Sequence, residues 1–172
     1  MKAGRTWVIA DTHFGHKGVC HFTRNDGSDL RPWDTPEEMD EAMVALWNDI
    51  VHDVDRVYIL GDLVINRRCL PTVSRLKGRK VLVKGNHDIF KLKDYTPYFD
   101  DIRAYVVGKC HSGKMYIMSH IPVHPACLGD RWAVNIHGHL HSNTLDDPKY
   151  ICVSVEQTGF KPTDLNDIIK DR

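Results

Sequence analysis

Seven side chains of metal-ligating type fall in five short clusters: Asp11-Thr12-His13, Gly61-Asp62, Gly85-Asn86-His87-Asp88, Ser119-His120 and His137-Gly138-His139-Leu140-His141. Asp11, His13, Asp62, Asn86, His120, His139 and His141 supply two carboxylates, one amide oxygen and four imidazoles. In Asp-x-His and His-x-His, alternate side chains of an extended backbone share a face, so each pair can grip neighbouring positions of one site. Seven ligands exceed the four that a lone zinc takes and suit two ions sharing a bridging carboxylate. Mixed nitrogen and oxygen donors point to manganese, iron, zinc, nickel or cobalt, since calcium and magnesium prefer all-oxygen cages.

Each cluster follows an apolar run: Trp7–Ala10, Val57–Leu60, Val81–Lys84, Met115–Met118 and Trp132–Ile136. A buried strand ends where such a run ends, so five strands would deliver the clusters to one edge of a sheet. Between them, Thr35, Pro36 and Glu38 predict a helix start with a capping box. The stripe Met39, Met43, Leu46, Trp47, Ile50 and Val54 follows at helical spacing and faces the core. Further expected elements are a strand Arg56–Leu60, a short helix near Cys69–Leu76 closed by Gly78, and strands Lys80–Lys84 and Ile102–Val107. A hairpin follows through Gly108–Gly113 to Lys114–Ser119, then strands Trp132–Ile136 and Tyr150–Val155, and a closing helix Asp164–Lys170 capped by Asp164 or Thr163. The first half alternates strand and helix, which favours parallel strands. The second half is mostly strand with hairpin-type connections. The fold class expected is α/β, two packed mixed β-sheets flanked by helices, with the site at the carboxyl ends of the strands.

The 172 residues suit one domain, residues 1–172. Zero formal net charge gives no global field for a polyanion, so tight sequence-independent nucleic-acid binding is disfavoured. The first apolar run is too short for a signal-peptide core and no run is long enough to span a bilayer. A cytoplasmic protein with no membrane association and no obligate protein partner is expected. Five scattered cysteines without Cys-x-x-Cys argue against disulfides and thiolate zinc.

Taken in order, these motifs resemble the calcineurin-like metallophosphoesterases, from Asp11 to His141. The resemblance implies an α/β/β/α sandwich and two divalent transition-metal ions, manganese first among them. Asp11, His13 and His141 would hold one ion, Asn86, His120 and His139 the other, and Asp62 would bridge both. His87 would be the catalytic histidine beside the scissile phosphate. The implied reaction is phosphate-ester hydrolysis by in-line attack of a metal-bridging hydroxide, with His87 giving a proton to the leaving oxygen. The similarity is greatest to small uncapped bacterial and phage members, which Asp11-Thr12-His13-Phe14-Gly15-His16, Arg31-Pro32-Trp33 and Val153-Ser154-Val155-Glu156 also fit. Leu63 to Arg68 after Gly61-Asp62, and Lys84 before Gly85, depart from the phosphoprotein phosphatases. The expected substrate is therefore a phosphodiester or nucleotide-type ester, nucleic-acid fragments included. A phosphomonoester, or a non-catalytic interaction scaffold on the same fold, is the alternative.

Other positions have two readings each. His16 contacts substrate phosphate or bonds within its loop. Arg67 and Arg68 suit bidentate phosphate contact, against the commoner solvated arginine. His124, four residues past His120, is a substitute ligand or a substrate contact. His111 reads as surface and His137 as structural. Asp88 reads first as a cap of the next helix, then as an orienting group for a ligand. Gly61, Gly85 and Gly138 are read as serving strand-to-loop turns with unusual backbone angles. Trp33 and Trp132 are read as core packing before a wall for a base.

Overall fold

The computed structural model describes residues 4–172. Two sheets face each other. The first has the order β4-β3-β2-β1-β9, built from β1 (Thr6–Ile9), β2 (Arg56–Ile59), β3 (Arg79–Val83), β4 (Asp101–Arg103) and β9 (Thr163–Asp164). Its strands are parallel except β9, which is antiparallel to β1. The second has the order β5-β6-β7-β8, from β5 (Val106–Lys109), β6 (Met115–Ser119), β7 (Trp132–His137) and β8 (Tyr150–Cys152). Only the β5–β6 pair is antiparallel. Both sheets are therefore mixed, as expected.

The central strands are apolar because both faces are covered. Trp7 and Ile9 of β1, with Val57 and Ile59 of β2, face Met39, Met43, Val44 and Trp47 of α1 (Pro36–Ile50). Val8 and Ala10, with Leu60 and Val83, face Val106, Met118, Val134 and Ile136 of the second sheet. Thr35 caps α1, its Oγ1 accepting from the Glu38 N–H at 3.3 Å. Asp164 caps α4 (Leu165–Ile169), accepting from Asn166 N–H at 2.9 Å.

Several expectations fail, most for a tertiary reason. Ile102–Val107 is not one strand. Its two halves pair in different sheets, β4 beside β3 and β5 beside β6, and the chain crosses between layers at Ala104-Tyr105. The second half holds one hairpin; β6, β7 and β8 are parallel. Val54 lies beyond the helix end and is exposed, while Val51 fills the core. The segment Arg67–Arg75 is a 3₁₀ helix containing Pro71, which lacks the N–H an α-helix needs. The strand from Tyr150 stops at Cys152, and Val155 opens a short helix, α3 (Val155–Thr158).

The two sheets are stitched together at the carboxyl end of β1. Ala10 and Ser154 form an isolated parallel bridge, with Ala10 N–H donating to Val153 O at 2.9 Å and Val155 N–H to Ala10 O at 3.1 Å. The loop after β1 also zips onto the loop after β2, through Asp11 N–H to Gly61 O and His13 N–H to Asp62 O, each 3.0 Å. The candidate ligand clusters hang on this stitch.

Candidate metal centre

The sheet edge gathers the clusters into two groups. Asp11, His13 and His141 present ligand atoms all within 4.8 Å of one another, and so do Asp62, His120 and His139. Asn86 joins the second group, its Oδ1 lying 2.8 Å from His120 Nε2 and 3.0 Å from His139 Nδ1. Asp62 reaches toward both groups, with Oδ2 3.4 Å from His120 Nε2 and 3.8 Å from His13 Nε2. Among the described residues, six non-glycine residues adopt positive φ, and five of them are Asp11, His13, Asp62, His139 and His141. Asp, Asn and His tolerate this region best. Left-handed backbone still costs about 1–2 kcal/mol per residue, so five at one edge mark a site whose surroundings enforce the geometry.

The glycines make room for these side chains. At Gly61, with φ +84°, an added Cβ would stand 2.6 Å from Gly85 Cα and 2.7 Å from His120 Nδ1. Gly85 and Gly138 have no positive φ, contrary to expectation. Close approach requires them: a Cβ on Gly85 would overlap Asp62 Oδ1, and one on Gly138 would meet Asp11 Oδ2 at 2.5 Å.

The donor set fits cations. Asp11 Oδ1 and His13 Nδ1 are buried without a hydrogen-bond partner, and an unpaired buried polar atom is costly. His120 Nδ1 lies 2.8 Å from Leu60 O, so its N–H donates there and the neutral ring turns a bare Nε2 toward the oxygens of Asn86 and Asp62. A cation satisfies such a cluster of lone pairs. Without one, the groups compete for protons. Burial pushes the Asp11 carboxyl up to about 6, against His141, His120 and Ser154. Burial, then Arg31, holds His13 well below the usual imidazole range. For His141, burial opposes the charged form, but the hydrogen bond and charge of Glu156, together with the charge of Asp11, outweigh it and raise the ring.

A buried network behind the first group went unread in the sequence. Arg31 is 1% exposed. Its guanidinium donates to Asp11 O at 2.6 Å, Thr12 O at 2.8 Å and Glu156 Oε1 at 2.9 Å. Glu156 Oε1 in turn accepts from His141 Nδ1 at 3.1 Å, which leaves His141 Nε2 for the site. Ser154 Oγ donates to Asp11 Oδ2 at 2.7 Å. Burial disfavours the Glu156 carboxylate, yet His141 and Arg31 hold it below its usual range. The signal was present as Arg31 and Val153-Ser154-Val155-Glu156, but no local spacing joins residues 125 apart.

Asp88 does not cap the next helix, α2 (Leu92–Tyr95), which has no side-chain cap. Its Oδ2 accepts from the Asp62 and Gly85 N–H groups, each at 2.8 Å, and so fixes Asp62. The backbone N–H of His87 donates to Asp62 Oδ1 at 2.9 Å. The His87 side chain is 53% exposed, with Nε2 4.0 Å from Asp62 Oδ2. His16 bonds within its loop, Nδ1 accepting from Gly18 N–H at 3.2 Å, and also stands edge-on to His13 at 5.7 Å. Arg67 reaches Asp94 at 3.7 Å, Arg68 lines an open cavity with Lys17, Asp40 and Cys69, and exposed His124 caps a turn through Ala126 N–H. Among the described residues, no hydrogen bond or ion pair ties these three to either ligand group. His137 is buried and turned to Gly138 O, and His111 is exposed. Trp33 packs edge-on against Phe160 at 4.7 Å.

The chain resembles known proteins along most of its length. Over 182 aligned residues the chain is 32% identical to an uncharacterised protein of Methanocaldococcus jannaschii, covering 99% of this chain and 92% of that one. It is 28% identical to the gene 66 protein of Mycobacterium phage L5, over 80% of this chain and 77% of the phage protein. A protein of unknown function from Aquifex aeolicus has a crystal structure similar to this one, with a TM-score of 0.70 and 26% identity over 96% of this chain and 97% of that one. Residues 4–161 match the family described as calcineurin-like phosphoesterase, and the chain belongs to that family of metal-dependent phosphoesterases.

Proposed function

We infer that the protein is a dinuclear metal-dependent phosphodiesterase acting on nucleotide-type or other small diesters. The observation that carries this reading is the pairing of two adjoining ligand groups through Asp62 with an exposed, backbone-anchored His87 beside them. Asp11, His13 and His141 would hold one divalent ion, Asn86, His120 and His139 the other, and Asp62 both. When bound, such a pair of ions supplies Lewis acidity that neutralises phosphoryl oxygens and lowers the pKa of water. Manganese is the first expectation, with iron, zinc, nickel or cobalt as alternatives.

The chain's own residues do the rest. His87 carries a proton to the departing ester oxygen, a role worth about 10²–10⁴-fold in rate. Asp88 fixes the Asp62 backbone, and the His87 N–H keeps the Asp62 carboxylate from rotating. Glu156 and Arg31 hold His141 in one tautomer. Exposure of Asn86 and His87 leaves room for the second ester arm of a diester, which supports diester over monoester.

The test strips the protein with chelator, reloads it with manganese, then zinc or nickel, and compares bis(4-nitrophenyl) phosphate with 4-nitrophenyl phosphate. The expected result is two metal equivalents per chain and a higher kcat/KM for the diester. Asp62→Ala should lose both metal equivalents and turnover together. A faster monoester would reassign the substrate class, and no metal-dependent turnover on either compound would remove the enzymatic reading.

A further inference from the structure

Phe22 is a large apolar side chain left half in water, at 51% exposure, on a backbone that is firmly held. It follows a 3₁₀ turn, Lys17–His21, anchored by buried Val19 and Cys20. Its carbonyl accepts from Leu30 N–H at 2.8 Å, and the next residue, Thr23, bridges Asp29. The ring is thus presented outward by a fixed loop.

The ring also connects to the metal centre. It stands edge-to-face with His16, centroids 5.9 Å apart at 87°, and His16 stands against the ligand His13 at 5.7 Å. Since His16 Nδ1 accepts from Gly18 N–H, the neutral ring carries its proton on Nε2 and has a donor for an ester or phosphoryl oxygen. The loop beyond Phe22 is tied across the site, with Asn25 Nδ2 donating to Asn143 Oδ1 at 3.0 Å, two residues past His141. These contacts put the aromatic wall on the side of the Asp11, His13 and His141 group. Neither tryptophan considered for such a wall serves it: Trp33 is packed on Phe160, and Trp132 lies under Arg131.

We propose that Phe22, with His16 behind it, is a stacking subsite for a planar ester group of the substrate, an aryl ring or a nucleobase. The assignment rests on the phosphoesterase reading above and adds the chemistry of the non-phosphate arm. An exposed aromatic face selects flat, polarisable groups with little regard to sequence or substituents, because every base offers a π-face.

Phenylphosphonate and methylphosphonate share one head group and differ in the planar arm, so calorimetric binding to manganese-loaded protein separates the two contributions without turnover. Wild type should bind the phenyl compound roughly 5- to 100-fold more tightly, the equivalent of one base–aromatic stack. Phe22→Ala should bring that ratio close to one with methylphosphonate affinity unchanged, and Phe22→Trp should retain it. The subsite is overturned by equal affinities in wild type, by no binding of either compound, or by a preference that survives Phe22→Ala. It is equally overturned if Phe22→Ala weakens both ligands alike, since Phe22 would then only buttress His16. A protein that binds phenylphosphonate through Phe22 yet hydrolyses no diester loses the proposed activity and keeps the subsite. One that hydrolyses diesters with no Phe22-dependent preference does the reverse.

Discussion

Breaking the Arg31–Glu156 pair tests whether the metal centre is held from behind. The two side chains meet at 2.7 Å, both 0% exposed. Removing one partner of such a pair strands the other charge in the interior, at about 3–5 kcal/mol. Arg31→Met strands the Glu156 carboxylate and also frees the carbonyls of Asp11 and Thr12. Glu156→Leu strands the guanidinium. Independent effects would sum to about 6–10 kcal/mol in the double variant. The double variant instead strands neither charge of the pair, and its remaining cost is the Asp11 and Thr12 carbonyls and the His141 Nδ1–H left unpaired, at about 1–3 kcal/mol each. A coupling of several kcal/mol between the positions is therefore expected. The assay is urea unfolding of chelator-treated protein, so that no bound ion contributes, with free energies from linear extrapolation. On heating, each single change should lower the Tm by roughly 6–20 °C for a chain of this length. Glu156→Gln separates stability from positioning. It keeps an oxygen toward Arg31 and His141 but removes the charge, and should weaken the first metal equivalent about 10- to 100-fold while the second binds as before. Single-variant losses under about 1 kcal/mol, or a double variant equal to the sum of the singles, would refute the reasoning.

Gly85→Ala should displace the Asp62 carboxylate, because the new Cβ would overlap Asp62 Oδ1. A stability loss of about 1–3 kcal/mol and a fall in metal stoichiometry below two would show it, and full metal content would count against the crowding argument. His87→Ala should lower kcat by about 10²–10⁴-fold with metal stoichiometry intact; unchanged turnover in steady-state kinetics would end its role as acid. Burial pushes the Asp40 carboxyl up to about 6, against the Gly15 N–H that donates to it at 3.0 Å. Its folded pKa thus exceeds its ordinary value of 3.8, and its contribution to stability is full below about pH 4 and lost as pH rises through 6. Asp40→Asn keeps the acceptor and lacks the titration, so its stability relative to wild type should climb between pH 4 and 7 in urea midpoints. A pH-independent difference would show that Asp40 does not titrate there.

The legible and illegible parts of this molecule divide by the range of the interaction involved. The strand ends were readable because an apolar run buried on both faces must stop before Asp or His, and all five residues that bend back sharply there, Asp11, His13, Asp62, His139 and His141, belong to types that tolerate positive φ. The capped start of α1 was readable because Thr35, Pro36 and Glu38 act on one another within a single turn. Where an assignment depended on which strand lies alongside, local pattern had no purchase. Ile102–Val107 has an unbroken β character, and only the pairing of β4 with β3 and β5 with β6 divides it between two layers. The same holds at the site. Asp88, read locally as a cap, is drawn instead to the N–H groups of Asp62 and Leu63, 26 and 25 residues away. Arg31 reaches Glu156 across 125 residues. The candidate ligands were visible because coordination restricts side-chain type. The residues that aim them are constrained by position alone, and position is a property of the folded chain. Groups behind the ligands, such as Glu156, Arg31 and Asp88, are therefore where variants of this fold can alter metal affinity while leaving every ligand motif intact.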